Sequence, residues 1–206
     1  MSSSMNKRTK TLLIALCLGD GHLSTRSGTA LCIEHCRKQR DYLTYKRNLL
    51  SKLLKCQLPT EHYRKDRDTF RIIKGHKYFK SIYNLIYKNK IKRFSKKLLE
   101  YITPEGLAIW FMDDGSRAKE LSKVSGCVRS QKMVLYTFTD EEDTQNIIDC
   151  LKEKYDIKMY PIWKTMKDGT KKAYLQCRTK EARKLSNLIR PYIIPSMQYK
   201  IMQIDE

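Results

Sequence analysis

The sequence predicts an α+β fold: two αββαββα repeats related by a pseudo-two-fold axis, each with an antiparallel, saddle-shaped sheet, packed through one pair of buried helices. The first observation is a duplicated motif. Leu107-Ala108-Ile109-Trp110-Phe111-Met112-Asp113-Asp114-Gly115 has no polar face and ends in two acids and a glycine; Leu13-Ile14-Ala15-Leu16-Cys17-Leu18-Gly19-Asp20-Gly21 is an earlier copy. A helix apolar all round must be buried on every side, and two in one small protein are most economically buried against each other. The second observation is order. Segments of helical and alternating period run helix, two strands, helix, two strands, helix, twice over. Asp20 and Asp114 stand 94 residues apart, about one repeat.

In chain order, residues 1–10 are polar and basic and read as a mobile arm before the first apolar helix. Residues 22–26 and 29–36 read as a hairpin around Ser27-Gly28. Residues 39–54 carry Tyr42, Leu43, Leu49, Leu50, Leu53 and Leu54 at helical spacing. Residues 62–65 and 69–73 read as strands around Asp66-Arg67-Asp68, and residues 76–87 as a helix through Phe79, Ile82, Tyr83 and Ile86. Residues 88–97 hold six basic residues among ten, so residues 89–103 read as a linker between repeats at 1–88 and 104–206. Thr103-Pro104 is a helix cap followed by proline at the first helical position. Residues 117–123 and 127–138 read as longer strands. Thr139-Asp140-Glu141-Glu142 is a capping box for a helix through Ile147, Ile148, Leu151 and Tyr155. In the last hairpin Ile157, Met159, Pro161, Trp163, Ala173, Leu175 and Cys177 form an apolar face. Lys158, Lys164, Lys172, Tyr174, Gln176 and Arg178 form the opposite one. A helix through Leu185, Leu188 and Ile189 ends at Pro191.

The chain has 206 residues, 41% of them hydrophobic, and a net charge of +20. Such an excess implies a polyanionic partner, nucleic acid ahead of an anionic membrane. No apolar run approaches the ~20 residues that span a bilayer, and residues 12–18 lack a signal-peptide cleavage pattern. Seven scattered cysteines, an odd number, read as reduced thiols in an intracellular compartment, whether organelle or microbial cytoplasm. Cys32, His35 and Cys36 have no second ligand pair at zinc spacing and read as strand or core residues.

A sheet face that is basic, aromatic and polar fails as a core face. With Arg26, Arg64, Arg67 and Arg71 in the first half and Arg117 in the second, two such sheets side by side make a positive saddle suited to a major groove. The motif acids carry the chemistry. An aspartate at a helix C-terminus is disfavoured by roughly 0.3–1 kcal/mol, and two converging there call for a cation, for which oxygen ligands suit Mg²⁺. A plain Asp-Gly turn closing a helix is the alternative; recurrence of the whole pattern weighs against it.

The paired motifs resemble those of the LAGLIDADG homing endonucleases in their single-chain, two-repeat form, most closely over residues 103–115 (TPEGLAIWFMDDG) and 188–200 (LIRPYIIPSMQYK). The motif's eighth letter, its essential acid, falls on Asp20 and Asp114. Its small third and seventh positions are kept as Ala15 and Gly19 but replaced by Ile109 and Asp113, which implies an asymmetric helix crossing. The resemblance implies a monomeric, intron-encoded enzyme making a double-strand break, with a short 3′ overhang, in a long, roughly two-fold-related duplex DNA site. It implies two or more Mg²⁺ ions on Asp20, Asp114 and the carbonyls of Gly19 and Asp113, the Asp113 side chain being supporting at best. It also implies a lysine near each scissile phosphate: Lys200 after Ile194-Pro195, and Lys90 or Lys92 in the first half. The alternatives are a group I intron maturase that binds intron RNA, and a non-catalytic DNA-binding protein.

Overall fold

The structure is a computed structural model describing residues 5–26, 28–121 and 128–203. It opens on α1 (Lys7–Leu18), capped by the Asn6 side chain, which accepts from the Thr9 N–H at 2.8 Å. The expected arm is therefore shorter: residues 1–4 lie outside the described residues, and the helix begins at Lys7. The reason is tertiary. Arg8 donates to Glu105 at 3.0 Å and Lys10 to the Tyr101 hydroxyl at 2.6 Å, so these basic residues hold onto the start of the second repeat and the segment just before it.

β1 (His22–Ser24), β2 (Ala30–Cys36), α2 (Arg40–Leu54), β3 (Glu61–Arg64), β4 (Thr69–Gly75) and α3 (Tyr78–Ile86) complete the first repeat. Where the sequence suggests a basic linker, β5 (Tyr87–Lys88) and β6 (Ile91–Lys92) pair as a ribbon. Asn89 and Lys90 form its turn with φ of 51° and 64°, the left-handed pair that a two-residue hairpin of this hand requires. α4 (Lys96–Leu99) and α5 (Pro104–Asp114) follow, the latter capped by the Thr103 hydroxyl, which accepts from the Gly106 N–H. β7 (Gly115–Leu121), β8 (Val128–Thr139), α6 (Glu141–Tyr155), β9 (Tyr160–Thr165), β10 (Lys171–Arg178) and α7 (Thr179–Ile189) make the second repeat. Ser27, Cys127 and the other residues at 122–126, where sequence reading placed a turn and strand ends, lie outside the described residues. Asp140, not Thr139, caps α6, accepting from the Asp143 N–H at 3.1 Å. Thr139 belongs to β8, and its hydroxyl pairs with that of Thr144 at 2.8 Å.

The two four-stranded sheets have the same order, β1-β2-β4-β3 and β7-β8-β10-β9, and every pairing is antiparallel. Opposed residues share a face, so Ile33 and Ile72 in the first sheet, and Met133, Leu135, Leu175 and Cys177 in the second, turn inward and are buried. Trp163 aligns with Ala173 on that face but is 43% exposed, because β9 is the sheet's edge. No described helix is long and apolar enough to cross a membrane.

α1 and α5 pack against each other at the centre. Leu12, Leu13, Ile14, Leu16, Ala108, Ile109, Phe111 and Met112 are wholly buried, each large side chain contributing about 1.5–3 kcal/mol relative to exposure. The crossing is asymmetric. A Cβ on Gly19 would lie 2.3 Å from the Cβ of Asp113, so the larger residue on one helix demands glycine on the other. Gly19→Ala is expected to destabilise the fold by roughly 1–3 kcal/mol through overpacking, read as a lower urea midpoint with unchanged slope. Both helices end where the chain doubles back: a Cβ on Gly21 would stand 1.8 Å from the Leu16 carbonyl oxygen, and one on Gly115 2.4 Å from that of Phe111.

Candidate active site

The tight turns after α1 and α5 put Asp20 and Asp114 at the same end of the helix pair. The Asp20 N–H donates to Asp113 Oδ2 at 3.1 Å, tying the two helix ends together. Asp114 Oδ2 accepts from the Trp110 indole N–H at 3.1 Å, one helical turn back. Burial first, then the charges of Asp113 and Asp20, push the Asp114 carboxyl up to about 7. Burial and Asp113 likewise raise Asp20. Like-charged, partly desolvated acids are pushed together at the negative ends of two helix dipoles.

Two lysines answer that charge in parallel ways. Lys92 Nζ donates to the carbonyls of Leu18, Gly19 and Gly21 at 2.9, 3.0 and 3.3 Å, closing the end of α1. Lys200 Nζ donates to the carbonyls of Met112 and Asp113 at 2.6 and 2.9 Å, closing the end of α5. Helix C-terminal carbonyls lack intrahelical donors, and a cation suits them. Burial lowers the pKa of both lysines. Lys90, the other first-half candidate, is exposed at the tip of the β5–β6 turn; the ribbon aims Lys92, not Lys90, at α1. The Gly19 and Asp113 carbonyls, expected as metal ligands, each accept from one of these ammonium groups.

Below the acids lies a network that the sequence reading missed. Lys46 is fully buried on α2; its Nζ donates to Asp113 Oδ1 at 2.5 Å, approaches His35 Nε2 at 3.1 Å and lies 4.4 Å above the Tyr42 ring. With an ammonium on Nε2, His35 carries its proton on Nδ1, which faces Gln39 Oε1 at 3.1 Å and Asp20 Oδ2 at 3.6 Å. Burial and Lys46 depress its pKa to about 4, so the ring is neutral. Ligand atoms of Asp20, His35 and Asp113 lie within 4.8 Å of one another. Both His35 nitrogens and the Asp113 carboxylate are already committed, however, which makes this trio a brace for Asp20 rather than a chelate. A signal existed: Lys46 falls on the stripe of Tyr42, Leu43, Leu50 and Leu54, and His35 has the inward parity of Leu31 and Ile33.

The expected partner-facing residues divide. Arg64 and Arg71 lie on the open face of the first sheet, Arg64 3.6 Å from Glu34 and 2.9 Å from Asp66. Arg71 Nε is buried without a hydrogen-bond partner. Arg26 and Arg67 are exposed beyond the strands, Arg67 in the β3–β4 turn. Lys164, Lys172, Tyr174, Gln176 and Arg178 share the open face of the second sheet. Lys158 lies outside the strand, its N–H donating to Glu181 at 2.8 Å. Arg117 is opposite Met133, on the core side of β7, because Gly115 starts that strand in register with inward-facing Leu135.

The donor set fits a hard divalent cation: two carboxylates raised by burial and mutual repulsion, each near an N–H donor, with lysines neutralising the helix ends. A cation held there relieves that repulsion only in the fold. A divalent cation at about a hundred times its dissociation constant is therefore expected to stabilise the chain by roughly 2.7 kcal/mol, read as a higher melting temperature that Asp20→Asn/Asp114→Asn abolishes.

Comparison with known proteins agrees with this arrangement. The model of the LAGLIDADG DNA endonuclease family matches residues 10–185. Cytochrome b mRNA maturase bI2 of Saccharomyces cerevisiae is 30% identical over 219 residues, covering 96% of this chain and 48% of the maturase. The chain spans about half the length of that relative, as it does of several others. DNA endonuclease I-ChuI of Chlamydomonas applanata is 26% identical over 216 residues, 96% of each chain. The homing endonuclease I-WcaI bound to its DNA recognition sequence aligns with a TM-score of 0.73 and 25% identity, over 97% of this chain and 88% of that one. With its two motif helices, duplicated sheets and a family match over most of its length, this chain belongs to the LAGLIDADG DNA endonuclease family.

Proposed function

We propose that the chain is a site-specific homing endonuclease that makes a metal-dependent double-strand break in a long, roughly two-fold-related duplex DNA site. The observation that carries this reading is the duplicated set of acid and lysine at the shared end of α1 and α5: Lys92 closes the end of α1 and acts more on Asp114 than on Asp20, and Lys200 closes the end of α5 and acts more on Asp20 than on Asp114. Two equivalent acid–lysine sets suit two strands, each acid serving mainly one. Bound Mg²⁺ would supply an activated water and neutralise charge on the leaving oxygen. The carboxylates of Asp20 and Asp114 would hold it, with Trp110 orienting Asp114 and the Asp113–His35 brace orienting Asp20. Lys92 and Lys200, pinned on helix carbonyls, would hold water or offset phosphate charge beside each cut. Arg71, with a buried N–H lacking an acceptor, and the lysines of the second sheet would hold phosphates and read base edges.

The likeness to a maturase over 96% of this chain supports a second reading, intron-RNA binding that assists splicing on the same scaffold. Incubation with Mg²⁺ and a random library of long duplexes, followed by sequencing of the ends, tests both. Discrete double-strand ends support the endonuclease; tight binding to structured intron RNA with no DNA ends supports the maturase. DNA affinity is expected to fall steeply with salt, with a log–log slope steeper than about −4, from release of several phosphate counterions. A flat response in a filter-binding titration would contradict docking through the basic faces.

A further inference from the structure

The open faces of the two sheets differ in chemistry. In the first, Glu34, Arg64, Arg71 and Thr69 form a polar face, with Thr69 donating to Glu34 at 2.7 Å and Arg64 3.6 Å from it. In the second, Tyr136, Phe138 and Tyr174 form a ring cluster, with centroids 5.3 Å (Tyr136–Tyr174), 6.0 Å (Phe138–Tyr174) and 6.1 Å (Tyr136–Phe138) apart. A bulge builds it. Pairing jumps from Leu175↔Leu135 to Ala173↔Thr139, so Tyr136, Thr137 and Phe138 stand against Tyr174 alone. Phe138 has φ 47°, a left-handed backbone that is an outlier for a bulky side chain. Bulges of this kind re-aim side chains. Here the result is two large rings, 41% and 40% exposed, at Tyr136 and Phe138.

These rings are not at a distant rim. Tyr136 and Phe138 line a cleft of about 340 Å³ together with Asp114, Lys92, Lys172 and Arg93, which pairs with Asp140 and Asp143. Lys164, 5.3 Å from the Tyr174 ring and in register with Lys172, sets positive charge beside them. A cluster of apolar rings flanked by lysines, next to an acid of the cutting site, meets a polyanion at an apolar spot. On the major-groove edges of duplex DNA that spot is the thymine C5-methyl group.

We propose that Tyr136, Phe138 and Tyr174 read thymine methyl groups, and so require thymines close to the cut in the half-site bound by the second repeat. The proposal rests on the endonuclease reading and adds to it a base requirement in one half-site. The open face of the first sheet carries an exposed Ile73 but no ring cluster among its described residues, so the ring requirement is one-sided. The flanking lysines hold the phosphates that fix the register, and the rings exclude water from the methyls.

Deoxyuridine tests this, because it deletes the methyl and nothing else. Sites recovered by cleavage of a random duplex library are remade with deoxyuridine for thymidine, one half-site at a time. In one half-site kcat/KM is expected to fall about fourfold per contacted methyl, and in the other by less than about twofold. Tyr136→Ala and Phe138→Ala, both at exposed positions and checked for folding by thermal melts, are expected to cut the thymidine and deoxyuridine forms at equal rates. Deoxyuridine that is neutral in both half-sites, or a penalty that survives both variants, overturns the proposal. So does loss of structured-RNA binding in these variants with deoxyuridine neutral, which reassigns the rings to base stacking. Absence of any discrete ends defeats the endonuclease reading and this one with it; ends without methyl dependence defeat only this one.

Discussion

Asp20→Asn and Asp114→Asn are each expected to lower double-strand cutting by at least a hundredfold while DNA binding persists. Loss of a partner that merely orients a metal ligand costs about 10–100-fold, and these substitutions remove the ligand charge itself. Amides of the same shape cannot neutralise a divalent cation, so the activated water is lost with the ion. Folding should not suffer. Burial and neighbouring acids destabilise both carboxylates, so replacing either removes repulsion rather than a stabilising contact. Binding should hold or tighten, because each change removes a negative charge from a surface facing phosphate. On a supercoiled plasmid carrying the site, each variant should stop at nicked circles, and the two should nick opposite strands. Equal linearisation by either variant would contradict the assignment of one acid to each strand.

Lys46→Met is expected to cost about 3–5 kcal/mol of stability, the usual penalty for breaking a buried ion pair on one side only. Lys46 is wholly buried, and its three contacts, to Asp113, His35 and the Tyr42 ring, account for every ammonium hydrogen. Its removal leaves the Asp113 carboxylate buried beside Asp20 without its hydrogen-bonded counter-charge, with Lys200 and Lys92 acting on it only from beyond ion-pair distance. For a chain of this size the loss corresponds to roughly a 10 °C fall in melting temperature. Adding Asp113→Asn removes the stranded charge and should restore much of it, since neutralising both partners of a buried pair is far less costly than removing one. A single substitution costing under about 1 kcal/mol, or a double one no better than the single, would show that the brace carries little energy.

Much of the architecture was legible because its signals are local. Apolar runs ending in Asp-Gly, the Thr103-Pro104 cap, and the alternation from Ala173 to Cys177 each announce an element within a few residues. What escaped depends on contacts between distant segments. Residues 6–10 look like a basic tail until Glu105 and Tyr101 are brought beside Arg8 and Lys10. Residues 88–92 look like a charged tether because a two-residue ribbon has no room for an apolar pattern, yet its left-handed turn decides that Lys92 rather than Lys90 reaches α1. Asp113, which breaks the expected small-residue pattern of the motif, is explained only by Lys46 and His35, 67 residues and more away in the chain. The place where the sequence departs from its family's pattern is thus the place where the structure adds a buried ion pair.

Asp20 and Asp114 are each proposed to hold reactive metal at the foot of α1 and α5. The most direct measurement is anomalous diffraction from crystals of the Mn²⁺-loaded complex with uncleaved DNA. Anomalous peaks are expected within about 2.0–2.3 Å of a carboxylate oxygen of both Asp20 and Asp114, with His35 and the Asp113 side chain uncoordinated. A peak centred on Asp20, His35 and Asp113, leaving Asp114 without metal, would contradict that assignment.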